Sequence, residues 1–211
     1  MENHASVWHP EVLDEKVVAT LRRLRDHSVL APFYLAGGTG LALRLGHRRS
    51  IDLDFFTSEN FSEDALLQKV QNLPGFSLVT KAAGTLHTNI GGTKASFLLF
   101  GYPLLFPAGE FLGVAVADPR DIACMKVSAI AGRGTRRDFV DLHALAQESG
   151  LRQLLDWFEK KYAAASYSMP HVLKSLTYFD DAEKDPPPDA LVPLSWEEVK
   201  AFFAQEVPRL I

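Results

Sequence analysis

Residues 33–56 read FYLAGGTGLALRLGHRRSIDLDFF, a stretch that places a glycine turn between a short strand and a helix. Residues 33–36 are apolar, and Gly37 and Gly38 follow at once, ahead of leucines at helical spacing. Glycine lets the backbone turn sharply and approach a ligand closely. Together with the hydroxyl of Thr39, the free amides of the helix start predict an anion site suited to a triphosphate.

Two aspartates end the same stretch. Asp52 and Asp54 alternate with apolar residues, which predicts a strand with both carboxylates on one face. Neighbouring carboxylates repel each other unless a cation lies between them, and Mg²⁺ prefers one or two carboxylates together with substrate phosphates. The alternative is that both acids line the polar face of a half-exposed strand. Because 13 residues separate Gly38 from Asp52, the combination favours a metal site beside the glycine turn.

Basic residues precede these acids. His47, Arg48 and Arg49 lie just ahead of Asp52, which would place cations beside a bound phosphate. Arginine binds phosphate oxygens through a planar fork, whereas the role of a histidine is more ambiguous. All three could equally be solvated loop residues.

A second block of polar residues lies downstream. Asp118 and Pro119 predict the start of a helix, and Lys126 falls at the edge of its apolar stripe. A lysine there can simply extend to solvent. Thr135 predicts the cap of the next helix, which runs from residue 136 to 147.

On that next helix Asp138 and Asp141 share a face, directly after Arg137. In one interpretation they form exposed ion pairs worth about 0.3–0.5 kcal/mol each. In the other, Arg137 binds a phosphate and one aspartate acts as a base or holds Lys126.

Both blocks resemble the AbiEii/AbiGii-type toxins, a branch of the nucleotidyltransferase (DNA polymerase beta-like) superfamily. The matching motifs are Gly37-Gly38-Thr39 with Leu-Ala-Leu, His47-Arg48-x-Ser50, Asp52-x-Asp54-Phe-Phe, Lys126, Arg133 and Arg137-Asp138-x-x-Asp141-Leu. The resemblance covers roughly residues 30–145. It implies an α+β fold with a mixed sheet flanked by helices, an NTP donor, Mg²⁺, and transfer of a nucleotidyl group to an acceptor hydroxyl or phosphate.

The resemblance also implies roles for individual residues. Phosphate or nucleotide binding would fall to Gly37, Gly38, Thr39, Arg48, Ser50, Lys126 and Arg137. The catalytic residues would be Asp52, Asp54, Asp138 and Asp141, of which Asp52 and Asp54 would hold the metal. It further implies a toxin whose acceptor is RNA such as tRNA, or protein, and a cognate antitoxin as partner.

One position departs from the superfamily pattern. These enzymes usually carry a third carboxylate on a later strand, and residues 93–100 match that strand with Ser96 in place of the acid. A serine cannot supply the charge, so base duty would pass to Asp138 or Asp141, with Glu110 or Asp118 a weaker substitute. Otherwise the chain is a weak or inactive module that binds nucleotide or a partner protein. A third possibility is an enzyme that modifies a small molecule such as an aminoglycoside.

Composition fits a folded protein outside the membrane. The 211 residues are 47% hydrophobic with a net charge of −4, which argues against a broad nucleic-acid-binding surface but permits a local basic strip of arginines. Cys124 is the only cysteine, so an intrachain disulfide and a cysteine-rich zinc cluster are excluded. Residues 1–10 contain no apolar signal-peptide core, and no apolar run reaches membrane-spanning length. We therefore expect a cytoplasmic protein.

The order of predicted elements divides the chain. We expect a core over residues 1–148, with an N-terminal helix over residues 10–27 and strands near 76–81, 85–91, 94–100 and 111–116. A helical region should follow over residues 149–211. Within it, the acidic loop at 180–188 could bind metal through Asp180, Asp181 and Glu183, although a solvated linker is favoured because nothing else fixes their geometry.

Overall fold

The computed structural model describes residues 7–210. Residues 1–6, part of the segment expected to lack a signal peptide, and residue 211 lie outside this range. The contacts divide the chain into two units, Met1–Asp118 and Pro119–Ile211. The boundary expected at 148–149 falls instead inside the second unit. There Gly150 separates two helices through its positive φ of 76°, and both helices pack against the same third helix.

The first unit is built on a mixed sheet of seven strands in the order β3-β4-β5-β2-β1-β7-β6. The strands are β1 (Tyr34–Leu35), β2 (Leu53–Thr57), β3 (Ser77–Ala82), β4 (Thr85–Ile90), β5 (Thr93–Leu99), β6 (Gly109–Phe111) and β7 (Val114–Val116). β2 pairs with β5, and β1 with β7, in parallel; the other pairs are antiparallel. The expected mixed α and β architecture is confirmed.

The helices of the first unit are α1 (Glu15–Asp26), α2 (Gly37–Leu45) and α3 (Glu63–Val70). The single helix expected over residues 10–27 is wrong at its start: a 3₁₀ turn at Pro10–Val12 comes first, and the Asp14 side chain then caps α1 by accepting a hydrogen bond from Val17 N. Ser62 caps α3 in the same way, by accepting a hydrogen bond from Ala65 N.

The strand expected at 111–116 is two strands. Leu112 and Gly113 both have positive φ, 53° and 76°, and form the two-residue turn between β6 and β7. Two successive residues with positive φ are typical of tight hairpin turns. A leucine in this conformation carries no sequence signal, which is why the turn was not predicted.

One face of the sheet buries the core of the first unit. Its fully buried side chains include Leu53 and Phe55 of β2, Leu86 of β4 and Phe97 of β5. Their alternation turns the intervening residues of these three strands to the opposite face. That opposite face carries the polar residues described below.

The second unit is helical within the described residues. It contains α4 (Pro119–Arg133), α5 (Arg136–Ser149), α6 (Leu151–Lys161), α7 (Met169–Ser175) and α8 (Trp196–Glu206), with 3₁₀ turns at Ala182–Lys184 and Val207–Leu210. As predicted, Thr135 caps α5, and with Asp138 it forms a reciprocal capping box.

The acidic loop before α8 is fixed by contacts within the second unit. The backbone N–H of Arg136 donates to Asp185 Oδ2 at 3.0 Å, and its guanidinium lies 3.4 Å from Glu183 Oε2. The loop therefore anchors the start of α5, while Asp180, Asp181 and Glu183 remain exposed, as expected for a solvated linker.

Candidate active site

The glycine turn forms the start of α2, and the residue at its N-cap has no side chain that could accept from the first amides. Ala36, the residue before the helix, makes no side-chain capping hydrogen bond, and Gly37 has a positive φ of 59°. A Cβ built on Gly37 would lie 3.1 Å from Asp54 Oδ2. The carboxylate of Asp54 therefore lies directly against the turn, as the sequence predicted for a joint phosphate and metal site.

Both aspartates are tied to this turn through their backbones. Ala36 N donates to the carbonyl oxygen of Asp54 at 3.0 Å, and Thr39 Oγ1 donates to the carbonyl oxygen of Asp52. Asp54 lies inside β2, whereas Asp52 directly precedes the strand; both are partly exposed. The hydrogen bonds thus fix the two acidic residues relative to the first turn of α2.

Thr39 faces inward and contacts Ser50, which is partly exposed. Thr39 is only 1% exposed, and its Oγ1 lies 2.7 Å from Ser50 Oγ in addition to its bond to Asp52. The sequence predicted phosphate contacts for both hydroxyls. In the structure they connect α2 to the segment leading into β2, and phosphate contact by either hydroxyl stays a prediction.

Arg48 supplies a fixed cation beside the turn. Its side chain is 3% exposed, and Nη1 donates to the carbonyl oxygen of Arg49 at 3.0 Å. A Cβ on Gly38 would lie 2.3 Å from Arg48 Nη2, so only glycine fits beneath the guanidinium. Arg48 is thus a buried part of the site, and its neighbour His47 is buried as well. Neither is a solvated loop residue.

A polar row crosses the sheet beside Asp54. Asp54 pairs with Ser96 of β5, and Ser96 pairs with His87 of β4; residues paired in this way share a face. Ser96 is 1% exposed. The serine that replaces the usual third acid therefore lies next to Asp54.

His87 was missed by the sequence reasoning. Its Nδ1 is buried and has no hydrogen-bond partner within residues 7–210. The available signal was alternation: Leu86, Thr88 and Ile90 point into the core, which places His87 on the face of Asp54.

The residues fit Mg²⁺ only as part of a nucleotide complex. Among the described residues, no group of three His, Cys, Asp or Glu side chains is placed to hold a metal ion. That result also covers the acidic loop of the second unit. Two carboxylates with the remaining ligands from phosphate and water are what Mg²⁺ commonly accepts, and Asp52 and Asp54 can supply that pair.

Lys126 is buried between two carboxylates in the second unit. Its Nζ lies 2.8 Å from Asp138 Oδ1 and 2.7 Å from Asp141 Oδ2, and the residue is 7% exposed. Burial by itself would lower the pKa of Lys126, but the charges of Asp141 and Asp138 outweigh it and raise the pKa above its usual value. The ammonium group stays protonated, and the side chain does not extend to solvent.

The two aspartates are engaged by this contact. Asp138 Oδ2 also accepts from the backbone N–H of Thr135 at 3.1 Å and from Thr135 Oγ1 at 2.7 Å. Asp141 is completely buried. Of the alternatives left by the sequence, the geometry matches carboxylates that hold Lys126. Arg137 is exposed and makes no side-chain hydrogen bond within residues 7–210.

Comparison with known proteins shows the family of this chain. The family model described as nucleotidyl transferase AbiEii toxin, type IV toxin–antitoxin system, matches residues 19–108 and 98–209. The uncharacterized protein aq_aa25 of Aquifex aeolicus (strain VF5) is 39% identical over 193 residues, which cover 89% of this chain and 92% of that protein.

Two solved structures share the fold. MenT4, a nucleotidyltransferase toxin from Mycobacterium tuberculosis H37Rv, superposes with a TM-score of 0.55 at 19% identity, covering 94% of this chain and 87% of its own. JHP933 from Helicobacter pylori superposes with a TM-score of 0.53 at 18% identity, covering 94% and 93%. Within residues 7–210, no helix has the length and apolar character needed to cross a bilayer.

Proposed function

Because this chain belongs to the AbiEii nucleotidyltransferase toxin family and is a nucleotidyltransferase, we propose that it uses an NTP and Mg²⁺ to modify RNA, with tRNA as the leading acceptor. A cognate antitoxin protein would be its partner. The observation that carries the proposal is the contact between the Asp54 carboxylate and the glycine turn at Gly37. An acid and an anion-binding turn in contact can serve one metal-bound triphosphate.

Each residue of the first unit then has a defined task. The amides at Gly37 and Gly38 donate to phosphate oxygens, and the buried guanidinium of Arg48 adds positive charge next to them. Asp52 and Asp54 hold Mg²⁺, which would neutralise charge on the reacting phosphate when bound. The acceptor hydroxyl gives its proton to solvent and its oxygen forms a bond to the α-phosphorus, while the bond from that phosphorus to the oxygen bridging to the β-phosphate breaks and pyrophosphate leaves.

Lys126 keeps a donor for phosphate in this proposal. An ammonium group has three N–H donors, and Asp138 and Asp141 occupy two of them. The third can bind an anion. The role of Asp138 and Asp141 is therefore to hold Lys126 charged and oriented, and Arg137 remains a proposed phosphate ligand.

The test is a transfer assay with purified protein, each labelled NTP, Mg²⁺ and total RNA. Asp54→Asn and Asp52→Asn should each reduce labelling about 100-fold or more, since they remove a charge aimed at the reacting phosphate. Asp64→Asn removes an exposed acid that pairs only with Lys81 within the described residues, and it should retain full activity. Undiminished labelling by the Asp52→Asn and Asp54→Asn variants would refute the proposal.

Ser96 favours a second candidate, a module that binds nucleotide without turnover. The side chain next to Asp54 is a hydroxyl where the superfamily usually has an acid. NTP binding with no labelling of RNA, protein or an aminoglycoside would support this candidate. Labelling that appears only in Ser96→Asp would show that the missing acid limits the rate, and labelling of an aminoglycoside would identify a small-molecule acceptor.

A further inference from the structure

A pocket of about 310 Å³ lies in the second unit, at the carboxyl end of α4. Gly132 and Arg133 line it on one side, and His171, Lys174 and Tyr178 line it on the other. Its volume is at the small end of the range of small-molecule sites, about 300–1,000 Å³. A single nucleotide unit or a molecule of similar size can occupy it.

Two cations, Arg133 and Lys174, and one acid, Asp181, are the charged residues that line the pocket. Arg133 and Lys174 make no side-chain hydrogen bond or ion pair with any residue from 7 to 210. The acid at the pocket, Asp181, lies 3.1 Å from Lys184, which offsets its charge. Arg133 lies in the last turn of α4 and Lys174 in the last turn of α7, positions at which cations are favoured. Lys174 comes from α7, so two elements direct cations to one pocket.

The pocket also has a fixed wall and an accessible backbone. His171 Nε2 lies 2.9 Å from the carbonyl oxygen of Ala131, which holds the imidazole against the end of α4. A Cβ built on Gly132 would meet open space. A ligand can therefore approach the main chain closely beside Arg133.

An exposed tyrosine, Tyr178, also lines this pocket. Tyr178 is 51% exposed, and its ring has no aromatic partner within the described residues. Cations that contact phosphate, combined with a free aromatic face, are the two elements by which proteins hold single-stranded nucleic acid. A purely anionic ligand would leave the ring without a role.

We propose that this pocket binds one nucleotide unit of a single-stranded nucleic acid. Its phosphate contacts Arg133 and Lys174, and its base stacks on Tyr178. The inference rests on the proposed function in one respect: the strand is the acceptor on which transfer takes place. Binding itself requires neither NTP nor Mg²⁺, so it can be measured separately.

The experiment is fluorescence anisotropy with a labelled 12-nucleotide single-stranded RNA at low salt, without NTP or Mg²⁺. The double variant Arg133→Gln with Lys174→Gln should weaken binding at least about tenfold, because two phosphate contacts are lost. Tyr178→Ala should weaken it about fivefold or more, since one stacked base contributes about 1–3 kcal/mol, and Tyr178→Phe should restore it.

Two controls distinguish binding at this specific site from nonspecific attraction to the positive charge of the protein surface. Lys160→Gln removes an exposed cation of α6 and should leave the affinity unchanged. Duplex RNA of the same sequence and free AMP should both bind more weakly than the single strand. Any of three results would overturn the inference: wild-type affinity in the double variant, an equal loss in Lys160→Gln, or AMP binding as tightly as the strand.

The two proposals fail in distinguishable ways. Loss of transfer activity with intact binding of the oligonucleotide would count against the proposed function alone. Labelling of RNA that proceeds normally in the double variant, with oligonucleotide affinity unchanged, would count against the pocket alone.

Discussion

At the scale of single residues, the site depends on side chains packed against glycine. Asp54 lies against Gly37, and the Arg48 guanidinium lies over Gly38. Neither contact leaves room for a Cβ without displacing a charged group. The turn therefore serves as a platform for two charges of opposite sign as well as an anion-binding helix start.

Gly38→Ala should disturb this platform. Its Cβ would meet Arg48 Nη2 at 2.3 Å, so the buried guanidinium must move. We expect a loss of about 1–3 kcal/mol in the free energy of unfolding, as for overpacked positions, and weaker NTP binding. Gly101→Ala, where a Cβ meets nothing within 4 Å, is the matched control in urea unfolding. Equal stability of both variants would contradict the packing described.

Lys126→Met should destabilise the second unit by about 3–5 kcal/mol, because Asp138 and Asp141 would remain buried without their cation. The pH dependence follows from the raised pKa of Lys126, for which burial opposes and the two carboxylates favour the charged form. The stabilisation that charged Lys126 gives to the folded state is complete below pH 10.5, the ordinary pKa of a lysine. It is lost as pH rises through the higher pKa that Lys126 has in the folded state.

The measurement is urea unfolding of wild type and Lys126→Met from pH 7 upward. The difference in the free energy of unfolding between the two proteins should be constant to about pH 10 and should become smaller above it. Lys160→Met, at an exposed position, should show no such difference. A difference that grows with pH would contradict the ion-pair assignment.

Cys124 should be chemically silent in the folded protein. Burial, aided by the charge of Asp121, raises the pKa of its thiol to about 12. Because the thiolate is the reactive form, native protein at pH 8 should not react with a disulfide reagent such as DTNB, whereas urea-unfolded protein should release one equivalent. Rapid stoichiometric reaction of the native protein would show that the thiol is accessible.

At the scale of elements, the start of α5 joins helix capping to the Lys126 cluster. Thr135 Oγ1 contacts the same Asp138 carboxylate that binds Lys126. Helix formation therefore positions Asp138, and Asp138 in turn positions the ammonium group.

Thr135→Ala should cost about 0.5–2 kcal/mol of stability, as for other lost caps, and should also weaken NTP binding through Asp138. Ser195→Ala removes a capping box of the same chemistry at α8 and is the matched control. It should cost similar stability, measured by thermal unfolding, and leave the affinity for NTP unchanged. Equal losses of NTP affinity in both variants would contradict a role for Asp138 in nucleotide binding.

Much of the fold could be predicted because its strands and helices follow from the spacing of neighbouring residues in the sequence. Alternation located β2, and the strands expected near 85–91 and 94–100 correspond to β4 and β5. Contacts between residues far apart in the sequence could not be predicted from such local patterns. Lys161 and Asp121 form a completely buried ion pair at 2.7 Å across 40 residues, and nothing in either local sequence indicates it.

The candidate site shows the same division. The glycine turn and Asp54 could be predicted because their spacing is short and strand and helix geometry is regular. The inward direction of Thr39 and the burial of Arg48 and Lys126 could not, because these depend on how segments pack together. The basic pocket beside Arg133 needed the structure to bring α7 to the end of α4.

At the scale of the whole molecule, two units carry two kinds of polar centre. The first unit holds the acids and the glycine turn on its sheet, and the second holds a buried lysine and a basic pocket among helices. Membership of the AbiEii family gives these features a common reaction, nucleotidyl transfer. We propose that Asp52 and Asp54 serve catalysis and that the pocket beside Arg133 binds the acceptor strand.

The most direct test uses the position of the label in the donor. Wild-type protein is incubated with Mg²⁺, total RNA and NTPs carrying ³²P at either the α- or the γ-phosphate, and the labelled macromolecules are resolved. Nucleotidyl transfer predicts that the α label enters RNA and the γ label appears only in pyrophosphate. Entry of the γ label into the acceptor, or no incorporation from either donor, would contradict the account.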